Sequence, residues 1–108
     1  PRAQVFKFLQ GTGVILGRDA DDNRRLEDAY KPGDTLVAPV SVPGPTALIP
    51  VHATPEDLAL VAPLVCAYSR YDQHAGPIAV KVLDAAGRRE ISVPPPFDRE
   101  QFRNHQIL

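Results

Sequence analysis

The segment Gly17–Pro50, GRDADDNRRLEDAYKPGDTLVAPVSVPGPTALIP, contains the local signals that decide the fold. Asp19 is a predicted helix N-cap, because its carboxylate can accept a hydrogen bond from the amide near Asp22. The predicted helix covers residues 20–30. Pro32-Gly33 ends it, since proline cannot continue a helix and glycine tolerates the conformation that follows one.

Two short apolar runs follow this helix and predict strands. The first covers residues 35–40, and Pro39 confines it to a sheet edge or shortens it, because proline cannot donate to a strand ladder. The second covers residues 46–49. The sequence Val-Pro-Gly-Pro at 42–45 predicts a rigid turn between them.

The flanking sequence adds a strand pair on each side and a second helix. Thr54-Pro55-Glu56-Asp57 is a strong helix start, and an apolar face runs from Leu58 to Ser69. Pro63 lies inside this helix and predicts a kink. The remaining predicted strands cover 4–9, 14–16, 78–82 and 89–93, and a Gly11-Thr12-Gly13 turn joins the first two of them. A short terminal helix is predicted over 98–105, with Phe97, Phe102 and Ile107 docking it on the rest of the domain.

These elements predict a single α+β domain over residues 1–108 with the order ββαββαββ. A mixed or antiparallel sheet is packed by two main helices. The chain starts with Pro and contains no Met, which favours one domain of a longer protein, with a trimmed free-standing small protein as the alternative.

Composition narrows the function classes. The 12 basic and 13 acidic side chains give a net charge of -1, so the whole chain has no general attraction for nucleic acid or anionic membranes. Cys66 is the sole cysteine, which excludes an internal disulfide and fits a cytoplasmic location. No apolar run is long enough for a membrane span.

The chain carries no recognisable catalytic or metal motif. His52, His74 and His105 are far apart in sequence and lack the ligand spacing of a metal site. Cys66 lies on the apolar face of the second helix, where a structural cysteine is expected. The glycines of QGTGVILG do not match a dinucleotide fingerprint, because a strand follows them instead of a helix. We expect neither a cofactor nor catalysis.

Basic residues near helix ends are the main candidates for function. Arg18 precedes a helix start, Arg24 and Arg25 lie on the exposed side of the same helix, and Arg70 follows the second helix. Helix starts and arginines together suit phosphate oxygens. The alternative is that these are solubilising charges interleaved with acids.

Several short motifs occur in a fixed order along the chain: Gly17-Arg18-Asp19, Asn23, Lys31-Pro32-Gly33-Asp34, Val42-Pro43-Gly44 and Ala67-Tyr68-Ser69. Their order and spacing together resemble the NFACT-R domain, an RNA-binding module of ribosome-quality-control and related proteins. That resemblance covers about residues 5–93.

The chain also departs from the quality-control members of that family. Where they carry a Trp and a His in the strand and Ser-His after Pro-Gly, this chain has Leu36, Ala38, Pro45 and Thr46. The Pro-Gly-Pro-Thr version is more similar to a bacterial branch, in which the domain follows a PP-loop ATPase resembling tRNA thiouridine synthases. The resemblance then implies a module that holds tRNA during uridine thiolation.

We therefore expect a non-catalytic module that binds tRNA or another structured RNA, with a PP-loop ATPase domain as partner in the same chain. The predicted contact residues are Arg18, Asn23, Arg24, Arg25, Lys31, Pro43, Gly44 and Arg70. The alternatives are a protein-interaction or structural domain and a quality-control-type module that binds tRNA or the ribosome. Clustering of the arginines on one face favours RNA, whereas neutralisation by Asp21, Asp22 and Asp72 favours protein interaction.

Overall fold

The computed structural model describes residues 4–7, 13–71 and 76–106. They form six strands, two α-helices and one 3₁₀ helix. The strands are β1 (Gln4–Lys7), β2 (Gly13–Leu16), β3 (Thr35–Pro39), β4 (Ala47–Ile49), β5 (Ile78–Asp84) and β6 (Gly87–Val93). The helices are α1 (Ala20–Ala29), α2 (Pro55–Ala67) and the 3₁₀ helix Arg99–His105.

The six strands make one antiparallel sheet in the order β1-β2-β4-β3-β5-β6. The strands β1-β2 and β5-β6 pair as hairpins, as predicted, and the sheet order places them as its two outer pairs. The short pair β3-β4 is inserted between them and joins them into one sheet. The predicted α+β class and the ββαββαββ order are confirmed, and the sheet is antiparallel throughout the described strands.

The prediction that Pro39 places β3 at a sheet edge is wrong. β3 lies between β4 and β5. The sheet tolerates Pro39 because β4 is short: it pairs with Thr35, Leu36 and Val37 only, so Pro39 lies beyond the end of its ladder. On the other side Pro39 pairs with Val80 as the last residue of β3. The predicted shortening is therefore correct, whereas the edge position is not.

One face of the sheet packs against α2 and forms the main core. Alternation along the strands puts every second side chain on this face, as Val14 and Leu16 show in β2. α2 contributes Val61, Leu64 and Val65, all with no exposed surface. The helix continues through Pro63. Its predicted apolar face is confirmed, and Leu64 and Ala67 extend it.

The opposite face of the sheet carries a smaller apolar cluster beneath α1. Leu26 of α1 packs with Leu36 and Leu48 of the two central strands, and Ile15, Tyr30 and Leu83 surround them. α1 is otherwise polar, so this one stripe orients it on the sheet. Its first turn therefore lies near the start of β4, where the Pro-Gly loop arrives.

Both helix starts use the predicted caps. The Asp19 carboxylate accepts from the Asp22 amide at 2.8 Å. At α2, the Asp57 amide donates to Thr54 Oγ1 at 3.1 Å, and the Thr54 amide donates to Asp57 Oδ2 at 3.0 Å. This reciprocal pair satisfies two backbone amides at once, which fixes where α2 begins.

The terminal helix predicted over 98–105 is a 3₁₀ helix that starts after the N-cap Asp98. Phe97 and Phe102 are buried in the main core and dock it, as expected. Ile107, which was predicted to help dock this helix, lies outside the described residues, as do Gly11 and Thr12 of the first predicted turn.

Candidate nucleic-acid interface

The loop 42–46 is held between the first turn of α1 and the end of α2. On the α1 side, Asn23 Oδ1 accepts from the Thr46 amide at 2.8 Å, and Asn23 Nδ2 donates to the Gly44 carbonyl at 3.4 Å. On the α2 side, the Arg70 amide donates to the Pro43 carbonyl at 2.8 Å. The backbone of the loop is therefore fixed relative to both helices, by the Asn23 side chain on one side and the Arg70 backbone on the other.

Two glycines let the three segments approach closely. A Cβ on Gly44 would overlap the side chain of Ser69 and lie 2.8 Å from Pro39 Cγ. A Cβ on Gly17 would overlap the side chain of Asn23. Ser69 is itself held in place, because its hydroxyl donates to the Val65 carbonyl at 2.7 Å. Both glycines are thus needed for packing at this junction.

An open depression of about 540 Å³ lies over this junction. Its basic side chains come from three separate segments: Arg18 before α1, Arg70 after α2, and Arg99 in the 3₁₀ helix. The described residues that line it are Gln4, Gly17, Arg18, Asp19, Ala20, Asn23, Pro43, Gly44, Pro45, Tyr68, Arg70 and Arg99. A chain of net charge -1 thus concentrates three arginines, against one aspartate, in a single concave surface.

The acids near this depression make contacts within the α1 start. Asp19 Oδ1 caps the helix through the Asp22 amide. Asp22 is buried, and its Oδ2 accepts from the backbone amide of Arg18 at 3.1 Å. This hydrogen bond fixes the Arg18 backbone without involving its guanidinium. Asp72 lies outside the described residues.

Arg99 was not identified from the sequence, and Tyr68 was noted as part of the Ala67-Tyr68-Ser69 motif but not predicted as a contact residue. The Arg99 guanidinium carbon lies 4.7 Å from the centre of the Tyr68 ring, a cation–π contact. Arg99 Nε also donates to the Ala67 carbonyl at 3.2 Å. The local signal was limited to Asp98 as a cap, which placed Arg99 in the first turn of a short helix. Only the docking of that helix beside α2 brings Arg99 to the depression.

The predicted contact residues divide into two groups. Five of the eight line the depression: Arg18, Asn23, Pro43, Gly44 and Arg70. Arg24, Arg25 and Lys31 do not. Arg24 Nη2 pairs with Asp21 Oδ1 at 3.3 Å, and both side chains are exposed. Lys31 lies in the turn at the opposite end of α1. That any of the eight contacts RNA stays a prediction.

The four residues at which this chain departs from the quality-control members lie in two different places. Leu36 and Ala38 are buried in β3, 7% and 6% exposed, and Leu36 packs beneath α1. They do not line the depression. Pro45 does, next to the buried Thr46. The departures at 36 and 38 thus alter the sheet interior and leave the composition of the depression unchanged.

The other chemically versatile groups have structural surroundings. Burial raises the pKa of the Cys66 thiol to about 11, which keeps it protonated at neutral pH. Burial would also raise the pKa of Asp84, but hydrogen bonds from Arg89 and the Ala86 amide, with the charges of Arg89 and His52, lower it overall. The described residues contain no group of three or more His, Cys, Asp or Glu placed to hold a metal ion.

Within the described residues, no helix has both the length and the apolar character required to cross a bilayer.

Comparisons with known proteins place this fold. The C-terminal part of the fibronectin/fibrinogen-binding protein from Streptococcus suis matches with a TM-score of 0.79 and 16% sequence identity, over 99% of this chain and 50% of that one. At this identity the likeness shows the fold alone, and the chain spans half the length of that structure. No curated protein matches the chain. The model of the NFACT protein RNA binding domain matches residues 5–106, and the chain belongs to this family.

Proposed function

We propose that this domain is a non-catalytic module that binds tRNA, and that the depression between α1, the 42–46 loop and the 3₁₀ helix is its contact surface. Family membership indicates RNA binding. The observation that supports this location is the meeting of Arg18, Arg70 and Arg99 in one concave surface. These arginines come from three segments, so their proximity is a property of the fold.

Arginines suit RNA backbones for a geometric reason. Each guanidinium presents several N–H donors in a plane, and two of them can bind one phosphate together. Phosphate contacts of this kind position a protein on RNA without reading its sequence. With three arginines available, the domain makes few such contacts, so its affinity is modest and its salt dependence is shallow.

The proposal extends to the parent protein. The motif Pro43-Gly44-Pro45-Thr46 is similar to the branch in which this domain follows a PP-loop ATPase. In that setting the domain holds tRNA while the ATPase domain supports thiolation of a uridine. Arg70 and Pro43 support such a holding role, because their backbone hydrogen bond of 2.8 Å gives the contact surface a fixed shape.

Binding to purified tRNA tests the contact surface. Fluorescence anisotropy is measured for the wild type, Arg18→Ala, Arg70→Ala and Lys31→Ala at about 50 and 150 mM salt. Lys31→Ala is the matched control, since it removes one positive charge at the other end of α1, roughly 15 Å away for a ten-residue helix. The two arginine variants are expected to lose roughly tenfold in affinity, as for a hydrogen bond to a charged group.

The salt dependence adds a second readout. Each arginine variant is expected to reduce the slope of log affinity against log salt by about 0.7 to 0.9, the value for one lost phosphate contact. Lys31→Ala is expected to leave slope and affinity near the wild-type values. If Lys31→Ala weakens binding as much as Arg18→Ala does, the contact surface is wrongly placed. If the wild type does not bind tRNA even at low salt, the tRNA proposal fails and a protein-interaction role takes its place.

A further inference from the structure

The depression contains an arginine whose orientation is fixed more tightly than a phosphate contact requires. Arg99 is held at two points: its Nε donates to the Ala67 carbonyl at 3.2 Å, and its guanidinium lies over the Tyr68 ring at 4.7 Å. A phosphate clamp works with a mobile side chain, as surface lysines show. The two fixed contacts instead hold a flat guanidinium in one plane.

Such a plane matches a specific chemistry. Unpaired RNA bases stack on aromatic rings and on arginine guanidinium planes. The Arg99 guanidinium carbon lies over the Tyr68 ring, 4.7 Å from its centre, and both residues line the depression. Arg18 and Arg70 lie on the same surface and supply charge for a phosphate. The depression therefore combines a stacking platform with phosphate-binding groups.

The size of the depression favours an unpaired nucleotide over an RNA duplex. Its volume of about 540 Å³ is within the range of roughly 300–1,000 Å³ found for small-molecule sites. A nucleotide that is unstacked from its neighbours can enter a concave site of this kind. Bases inside a duplex are stacked and paired, so a duplex presents its backbone and the base edges of its shallow minor groove, and no free base face, to such a surface.

We propose that the depression accepts one unpaired nucleotide of an RNA, with its base stacked on the Arg99–Tyr68 pair and its phosphate beside Arg18 and Arg70. This inference rests on the proposed function, because it assumes that RNA contacts this depression. It narrows that function to recognition of a single-stranded segment, such as a loop or an end of a structured RNA.

Two RNA probes and three variants test it. The probes are a short single-stranded oligoribonucleotide and a blunt RNA duplex of the same length, compared at equal phosphate concentration. Arg99→Lys keeps the charge and removes the planar guanidinium. Arg103→Lys is the matched control in the same 3₁₀ helix, where Arg103 is exposed and pairs with Glu100 at 2.8 Å. Arg18→Ala reports on the phosphate contact. Urea unfolding verifies that each variant is folded.

The wild type is expected to prefer the single strand. Arg99→Lys is expected to weaken single-strand binding on the order of tenfold, the lower range for one lost base stack, with less than twofold change for the duplex. Arg103→Lys is expected to leave the affinities for the single strand and for the duplex unchanged. Equal binding of both probes, with no selective loss in Arg99→Lys, overturns the nucleotide proposal. If Arg18→Ala still weakens binding in that case, the proposed function survives; if Arg18→Ala has no effect, both fail.

Discussion

The two ends of α1 are both marked by sequence motifs of the family, yet they differ in structure. At the first turn, Asn23 reaches across to the loop 42–46, and the surroundings form a concave surface. At the last turn, the Lys31–Asp34 segment closes on itself: the Asp34 amide donates to the Lys31 carbonyl at 2.9 Å, and Asp34 Oδ2 accepts from the Lys31 amide at 3.0 Å.

The motifs at the two ends of α1 therefore have different structural roles. The turn after α1 satisfies its own backbone and needs Gly33 for a φ of 101°, a left-handed conformation that suits glycine. The junction at the first turn joins three segments distant in sequence. A motif at the first turn therefore shapes a surface, whereas the motif at the last turn ends a helix.

The largest expected effect comes from exchanging a glycine at each end. Gly44→Ala is expected to lower the free energy of unfolding by about 3 kcal/mol, because its Cβ would overlap the buried Ser69 side chain and approach Pro39 Cγ to 2.8 Å. Gly33→Ala faces open space and is expected to cost only about 1 kcal/mol, from its positive φ. Urea unfolding measures both.

The two glycine variants are also compared in their affinity for tRNA. Gly44→Ala displaces the loop that lines the depression, so the folded fraction is expected to bind tRNA more weakly. Gly33→Ala is expected to bind like the wild type. If both glycine variants lose the same stability and the same affinity, the two ends of α1 are equivalent and the distinction between them fails.

An intermediate effect is expected from the polar contacts at the two ends. Asn23→Ala leaves the Thr46 amide without its acceptor and is expected to cost about 1–3 kcal/mol of stability. Asp34→Ala removes the acceptor for the Lys31 amide and is expected to cost a similar amount. Because Asn23 contacts the loop and Asp34 does not, only Asn23→Ala of these two variants is expected to weaken tRNA binding, by about 1 kcal/mol or roughly fivefold.

Thermal unfolding and anisotropy are measured on both variants at a temperature where each is folded. If both variants lose similar stability and only Asn23→Ala loses affinity for tRNA, the result supports a positioning role for Asn23. Unchanged binding in Asn23→Ala would show that the depression keeps its shape without this contact.

The smallest effect on stability at neutral pH concerns Cys66, which lies beneath the junction and accepts from the Ser69 amide through its carbonyl at 3.1 Å. Burial raises the pKa of its thiol from 9.0 to about 11. This stabilising contribution is complete below the unfolded pKa, near pH 9, and is lost as the pH rises toward 11. A disulfide reagent near pH 8 is expected to react about a hundredfold more slowly with the folded protein, from thiolate content alone.

The urea-unfolded chain provides the reference rate for that reaction. Equal rates in the folded and unfolded protein would mean that the end of α2 opens readily and that the junction is not closed. A slow rate that increases in Gly44→Ala would link the packing of Gly44 to the closure of the α2 end.

Much of the fold was predictable because its signals are local. Asp19 and Thr54 mark helix starts through their own caps, and the apolar runs of β2 and β5 indicate strands. The position of β3 was not predictable from Pro39, because the outcome depended on the length of β4, the neighbouring strand in the sheet. A proline is tolerated wherever the neighbouring strand has already ended.

The sequence by itself determined the element order, the helix caps, the turns and the family motifs, since each depends on residues a few positions apart. Only the tertiary structure decided which arginines share a surface. Arg18, Arg70 and Arg99 are separated by 52 and 29 positions, and packing of α2 and the 3₁₀ helix against the sheet brings them together. Lys31, only 13 positions from Arg18, is excluded because a rigid helix separates them.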